Sequence, residues 1–146
     1  MICLSTREKA PPVSFRDALF QGQAPDGGLY MPTRFPTLSE SDCASLAKAS
    51  YSELAYELAR RLLGDEISDA DLCRVVERSY DFVPCLHELR PGLHVLELFH
   101  GPTLSFKDFG AQFMAKTMEH FAREGERVLT ILVATSGDTG SAVAHA

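Results

Sequence analysis

Val128-Leu-Thr-Ile-Leu-Val-Ala-Thr-Ser-Gly-Asp-Thr-Gly140 decides the fold class. Its first half, Val128 to Ala134, is a nearly unbroken apolar run, the mark of a strand buried on both faces. Its second half is a short Gly/Ser/Thr turn that opens a helix over Thr139-Gly-Ser-Ala-Val-Ala-His-Ala146. Upstream, Leu93-His-Val-Leu-Glu-Leu-Phe99 follows a Pro91-Gly92 turn and is rich in β-favouring residues, so it predicts another strand. A helix is expected between the two, from Ser105 to about Arg123, ended by Gly125. Phe109, Phe113 and Phe121 are spaced as its packing face. Strand, helix, strand, glycine turn and helix in this order are the start of an α/β unit with parallel strands.

The region before this unit has a different character. Ser14-Phe-Arg-Asp17 has capping-box spacing ahead of Ala18, Leu19 and Phe20, with Gly22 placed to close a short helix. Asp26-Gly27-Gly28 is a turn signal, and Leu29-Tyr-Met31 predicts a short strand ended by Pro32. Ser39 to Asp42 start a helix that runs through Leu46. From Ser52 to Leu63, the residues Leu54, Ala55, Leu58, Ala59 and Leu62 form one apolar stripe, with Gly64 after it. Ser68-Asp-Ala-Asp71 repeats the capping signal ahead of Leu72, Val75 and Val76. Residues up to about 80 thus read as a mostly helical unit. The expected domains are 1–92 and 93–146.

Composition narrows the function classes. The chain has 146 residues, 45% of them hydrophobic, and a formal net charge of -6. No Lys/Arg-rich block supplies the basic footprint of a nucleic-acid binder. No stretch has the apolar length to span a bilayer, and Met1 to Pro12 has no signal-peptide core. Cys3, Cys43, Cys73 and Cys85 are scattered, without a C-x-x-C pair or the usual Cys/His spacing of zinc sites. Reduced thiols, no metal and a cytoplasmic location are the expectation.

Two loop-to-helix junctions carry chemistry. In Ser105-Phe-Lys-Asp108, Ser105 is a natural N-cap, and an aspartate in the first turn suits the positive end of a helix. Lys107 does not suit it. The helix dipole disfavours the ammonium form there, and burial between Phe106 and Phe109 would add to that. A neutral lysine amine is what attack on a carbonyl needs. The plain alternative is a lysine that reaches water, with Asp108 compensating its charge.

In Thr135-Ser-Gly-Asp-Thr-Gly140, Gly137 and Gly140 let the backbone turn sharply and approach a ligand. Free N–H groups at the helix start, with the hydroxyls of Ser136 and Thr139, suit a carboxylate or phosphate. Asp138 is out of place in an anion cradle unless it faces a hydroxyl or a protonated nitrogen. The alternative is a plain strand-to-helix turn capped by Asp138. The histidines His87, His94, His100, His120 and His145 show no ligand pattern, although His100 lies in the loop before Lys107.

Leu96-Glu-Leu-Phe-His-Gly-Pro-Thr-Leu-Ser-Phe-Lys-Asp-Phe-Gly-Ala-Gln-Phe113 resembles the cofactor-lysine segment of the threonine synthase family. Ala134-Thr-Ser-Gly-Asp-Thr-Gly-Ser-Ala-Val-Ala-His-Ala146 is similar to that family's next motif, at the expected separation. Ser5-Thr-Arg7 and Asp26-Gly-Gly-Leu-Tyr-Met-Pro32 look like its opening.

The resemblance implies the fold of tryptophan-synthase β-like enzymes with an added N-terminal domain. It implies pyridoxal 5'-phosphate (PLP) as cofactor, and conversion of O-phospho-L-homoserine and water to L-threonine and phosphate. By match of motif, Lys107 corresponds to the lysine that holds PLP as a Schiff base and then moves the substrate's α and β protons. Ser136, Gly137 and Thr139 fall where the substrate carboxylate is held. Asp138 falls beside the cofactor's 3-hydroxyl, at a position where the wider superfamily often has Asn. The resemblance also places the cofactor's phosphate-binding loop beyond residue 146, so an incomplete catalytic domain and an inactive 146-residue chain are expected. Two other readings remain: a phospho-lyase of the same family acting on a related phosphorylated substrate, and a non-catalytic helical interaction module.

Overall fold

The computed structural model describes residues 1–122 and 129–146. They fall into two compact units, Met1–Arg74 and Val75–Ala146.

The first unit contains a sheet that the helical periodicities do not announce. Strand β1 (Ile2–Ser5) lies between β2 (Val13–Ser14) and β3 (Tyr30–Pro32), antiparallel to both. Alternation along β1 buries Cys3 and Ser5 and leaves Ile2 and Leu4 outside, as the period of two requires. Pro32, expected to end the strand, is its last residue, opposite Cys3. This edge position tolerates a residue without an N–H. The unit thus adds a small antiparallel sheet to its predominantly helical elements. Short strands of this kind carry too few residues for a periodicity to show.

Its helices follow their caps. Ser14 accepts from the Asp17 N–H at the start of α1 (Phe15–Gln21), and Gly22 ends it at φ 71°. Ser39 with Asp42 opens α2 (Glu40–Leu46), and Ser50 with Glu53 opens α3 (Tyr51–Leu63), each as a full capping box. The N–H groups of Phe15 and Arg16 donate to the Glu66 carboxylate, at 3.0 Å each. The Met1 ammonium meets the same carboxylate at 2.7 Å. Burial pushes the Glu66 carboxyl up, but these donors outweigh it and hold it below its usual range. Of the expected apolar stripe on α3, Ala59 is buried, Leu54, Ala55 and Leu62 are half-buried and Leu58 is exposed; Leu63, outside the stripe, is buried.

Helix α4 (Asp69–Ser79) leads into the second unit. There β4 (Cys85–Arg90) and β5 (Leu93–Glu97) form an antiparallel hairpin around Pro91-Gly92, with Gly92 at φ 77°. Proline presets the first turn position and glycine takes the positive φ of the second. The domain boundary expected at residue 92 falls on this turn. Helix α5 (Lys107–Ala122) packs against α6 (Asp138–His145). Gln112 Nε2 lies 3.0 Å from His145 Nδ1, and Lys116 Nζ donates to the Ala146 carbonyl. Phe113 stacks on Tyr80 at 6.3 Å, Phe109 meets Phe82 edge-on at 4.9 Å, and Phe121 is buried. The phenylalanine stripe is a packing face, as its spacing predicts.

Of the strand expected over Val128–Ala134, no part is formed at residues 129–134. Val128 lies outside the described residues, as do Arg123 and Gly125, expected at the end of α5. Residues 129–134 form no regular element and have no ladder partners, and Leu132 is 91% exposed. A parallel strand needs neighbours to satisfy its backbone and cover its side chains. Among the described residues none pairs with this run, and both sheets are antiparallel.

Candidate active site

The segment from His100 to Asp108 is built around a buried carboxylate. Asp108 has no exposed surface. Its Oδ2 accepts the Thr103 N–H at 2.8 Å, and its Oδ1 accepts the Thr103 hydroxyl at 2.6 Å. Gly101 lies against the same side chain, so closely that a Cβ there would sit 2.5 Å from Asp108 Oδ2. Leu104 takes a positive φ of 57° to complete the turn. Ser105 is buried and its Oγ accepts from the Lys107 N–H at 3.2 Å. It caps the helix as its identity suggests, but the regular α-helix starts at Lys107, two residues later than expected. The reason is a tight first turn, in which Asp108 and Phe109 donate to the carbonyls of Ser105 and Phe106.

Lys107 is the first residue of α5 and is exposed. Phe106 is 64% exposed, so the expected burial of the lysine between two phenylalanines does not occur in this structure. Of the plain alternative, the lysine does reach water, but Asp108 makes no ion pair with it. That carboxylate is turned inward and used by Thr103. Among the described residues the Lys107 amine has no hydrogen-bond or ion-pair partner.

The second junction opens α6. Gly137 is its N-cap at φ 151°, with no side chain capping the helix. The first-turn N–H groups are thus without a side-chain acceptor. A Cβ at Gly137 would meet nothing within 4 Å, so the space in front of the helix is open. Gly140 is different: a Cβ there would lie 2.4 Å from the Thr135 Cγ2. Ser136 and Asp138 are exposed and Thr139 is half-buried. Lys107 and the 136–139 loop thus sit at the starts of two helices that pack together, but no hydrogen bond joins them among the described residues.

Thr103 and Gly101 are functional candidates that residue spacing missed. Their signal is the His-Gly-Pro-Thr run itself. It has no reason in a plain strand-to-helix loop and acquires one when Asp108 points back at it.

Residues 3–80 match the family described as Threonine synthase N terminus. A threonine synthase of Pseudomonas aeruginosa is 45% identical over 145 residues, 95% of this chain and 31% of that protein. A threonine synthase-like 2 protein of Mus musculus is 42% identical, over 94% of this chain and 30% of that protein. The crystal structure of PLP-bound threonine synthase from Brucella melitensis superposes with a TM-score of 0.92 at 41% identity. It covers 99% of this chain, which covers 32% of it. The chain therefore spans about a third of the length of the curated relatives it matches. With the family match extending over residues 3–80 and these relatives over nearly all of the chain, it belongs to the threonine synthase family.

Proposed function

We propose that the complete protein is a PLP-dependent threonine synthase, a carbon–oxygen lyase that converts O-phospho-L-homoserine and water to L-threonine and phosphate in the cytoplasm. In this reading residues 1–92 are the N-terminal domain, and 93–146 open the catalytic domain. Residues 129–134 are a strand of the catalytic domain's parallel sheet. The observation that carries the reading is the Lys107 amine. It stands unpaired at a helix start while the adjacent carboxylate is spent on Thr103. No helix among the described residues is long and apolar enough to cross a membrane.

The residues present fit the cofactor. An amine without a partner suits an aldehyde, and an uncapped helix start with open space at Gly137 suits a carboxylate. When bound, PLP supplies the electron sink that makes protons next to the substrate amine removable. Lys107 then takes and returns those protons at the α and β carbons. Ser136, Gly137 and Thr139 hold the substrate carboxylate through N–H and hydroxyl groups, and Asp138 takes the cofactor's 3-hydroxyl.

Borohydride reduction of the complete protein with PLP, followed by peptide mass spectrometry, tests this. The label is expected on Lys107, and a label on Lys116, Lys48 or Lys9 instead overturns it. Lys107→Ala abolishes turnover under this reading and leaves an interaction module unaffected. The second reading is a phospho-lyase of the same family acting on a related phosphorylated substrate. Phosphate release from phosphohomoserine, compared with other phosphorylated amines and alcohols, separates the two.

A further inference from the structure

The β4–β5 hairpin gathers side chains whose sequence spacing showed no metal pattern. Cys85 and Glu97 face each other across the ladder, and His87 lies two residues along from Cys85, on the same face of β4. The ligating atoms of Cys85, His87 and Glu97 all lie within 4.8 Å of one another. We propose that Cys85, His87 and Glu97 form a binding site for a zinc-type divalent transition metal.

The distances carry this. Cys85 Sγ is 3.4 Å from His87 Nε2, and His87 Nε2 is 3.5 Å from Glu97 Oε2. Tetrahedral angles with Zn–S of about 2.3 Å and Zn–N and Zn–O of about 2.0–2.2 Å give ligand–ligand edges of about 3.3–3.6 Å. Two of the three separations thus match tetrahedral edges, and the Cys85 sulfur and Glu97 oxygen lie within 4.8 Å of each other before any ion arrives. A thiolate with an imidazole and one carboxylate selects zinc or cobalt over magnesium or calcium. Three protein ligands leave a fourth position for water. The half-exposed rim, with His87 56% exposed and Glu97 23%, gives the ion an entry path. His100 Nε2 lies 2.7 Å from the same Glu97 oxygen and fixes the carboxylate's orientation from outside. Binding displaces the Cys85 thiol proton to solvent, so affinity rises with pH. The site does not depend on Lys107 or on PLP.

The test is cobalt binding to the complete protein, read by thiolate-to-cobalt charge-transfer absorption and by equilibrium dialysis. One cobalt per chain with a thiolate band is expected, displaced by zinc. The band disappears in Cys85→Ser. His87→Gln and Glu97→Gln each lower affinity about 10-fold or more, as does His100→Ala at the lower end of that range. All four residues are on or beside a partly exposed hairpin, and circular dichroism confirms that each variant stays folded. Absence of the band in the parent, its survival in Cys85→Ser, or unchanged affinity in His87→Gln overturns the proposal.

Discussion

Asp108 grips Thr103 at two points, with Oδ2 on the backbone N–H at 2.8 Å and Oδ1 on the hydroxyl at 2.6 Å. This grip fixes the loop ahead of Lys107 and removes the nearest carboxylate from the lysine. In Asp108→Ala both carboxylate oxygens are gone, and the part-buried Thr103 N–H and hydroxyl lose their acceptors. Such a loss costs about 1–3 kcal/mol. Urea unfolding is expected to show a lower midpoint, and an unchanged midpoint would contradict the grip.

Gly101 is bound to the same carboxylate by space rather than by hydrogen bonds. An added Cβ would lie 2.5 Å from Asp108 Oδ2 and 2.7 Å from its Cβ. Asp108 is fully buried and cannot swing aside. Gly101→Ala is expected to destabilise by about 1–3 kcal/mol, the range for overpacking. In the complete protein it should also slow reduction-sensitive PLP capture at Lys107, which absorbance of the cofactor would follow.

What the sequence made legible divides along physical lines. Caps were readable because they are local: Ser14, Ser39 and Ser68 each bond a residue three positions on. The phenylalanine stripe of α5 was readable because its period is. Strand β1 was not, since only its register against Val13 and Pro32 makes Ile2–Ser5 a strand. Strand β4 escaped for the same reason, although Pro91-Gly92 marked the turn beside it. At the candidate site, the positions of Lys107 and Gly137 at helix starts were legible. The inward turn of Asp108 was not, because it depends on a loop conformation that no periodicity encodes. Segments 5–7 and 26–32 stood apart in the sequence and are joined in the structure: Ser5 donates to Asp26 at 2.6 Å, and Arg7 Nη1 to the Asp26 carbonyl at 3.0 Å.

Asp26 makes the first unit sensitive to acid. The Ser5 hydroxyl is the main cause holding its carboxyl down, to about 2. The N–H groups of Gly28, Lys9 and Ala10 add to it, at 2.9, 3.0 and 3.0 Å. A carboxyl whose value is depressed by folding contributes stability that is complete above its unfolded value, about 3.9. That contribution is lost as pH falls from there through about 2. NMR titration of Asp26 is expected to give the low value in the parent chain. In Ser5→Ala the value should move up towards the ordinary carboxylate range. An unmoved value would mean that the backbone donors alone suffice.

Thr135 and Gly140 bracket the turn before α6, and their contact predicts a rescue. A Cβ at Gly140 would sit 2.4 Å from Thr135 Cγ2, but its next nearest neighbour is 3.9 Å away. The crowding therefore comes from one methyl group. Gly140→Ala alone is expected to cost about 1–3 kcal/mol by overpacking. Thr135→Ser removes the methyl and keeps the hydroxyl that accepts from the Gly137 N–H at 3.4 Å. The double variant Thr135→Ser with Gly140→Ala should regain most of the loss. A double-mutant cycle on unfolding free energies then shows a favourable coupling on the order of 1 kcal/mol. Additive effects would place the strain of Gly140→Ala in the helix backbone instead of at Thr135. Alanine is a better helix former than glycine by about 1 kcal/mol, so the relieved double variant has reason to match the parent chain.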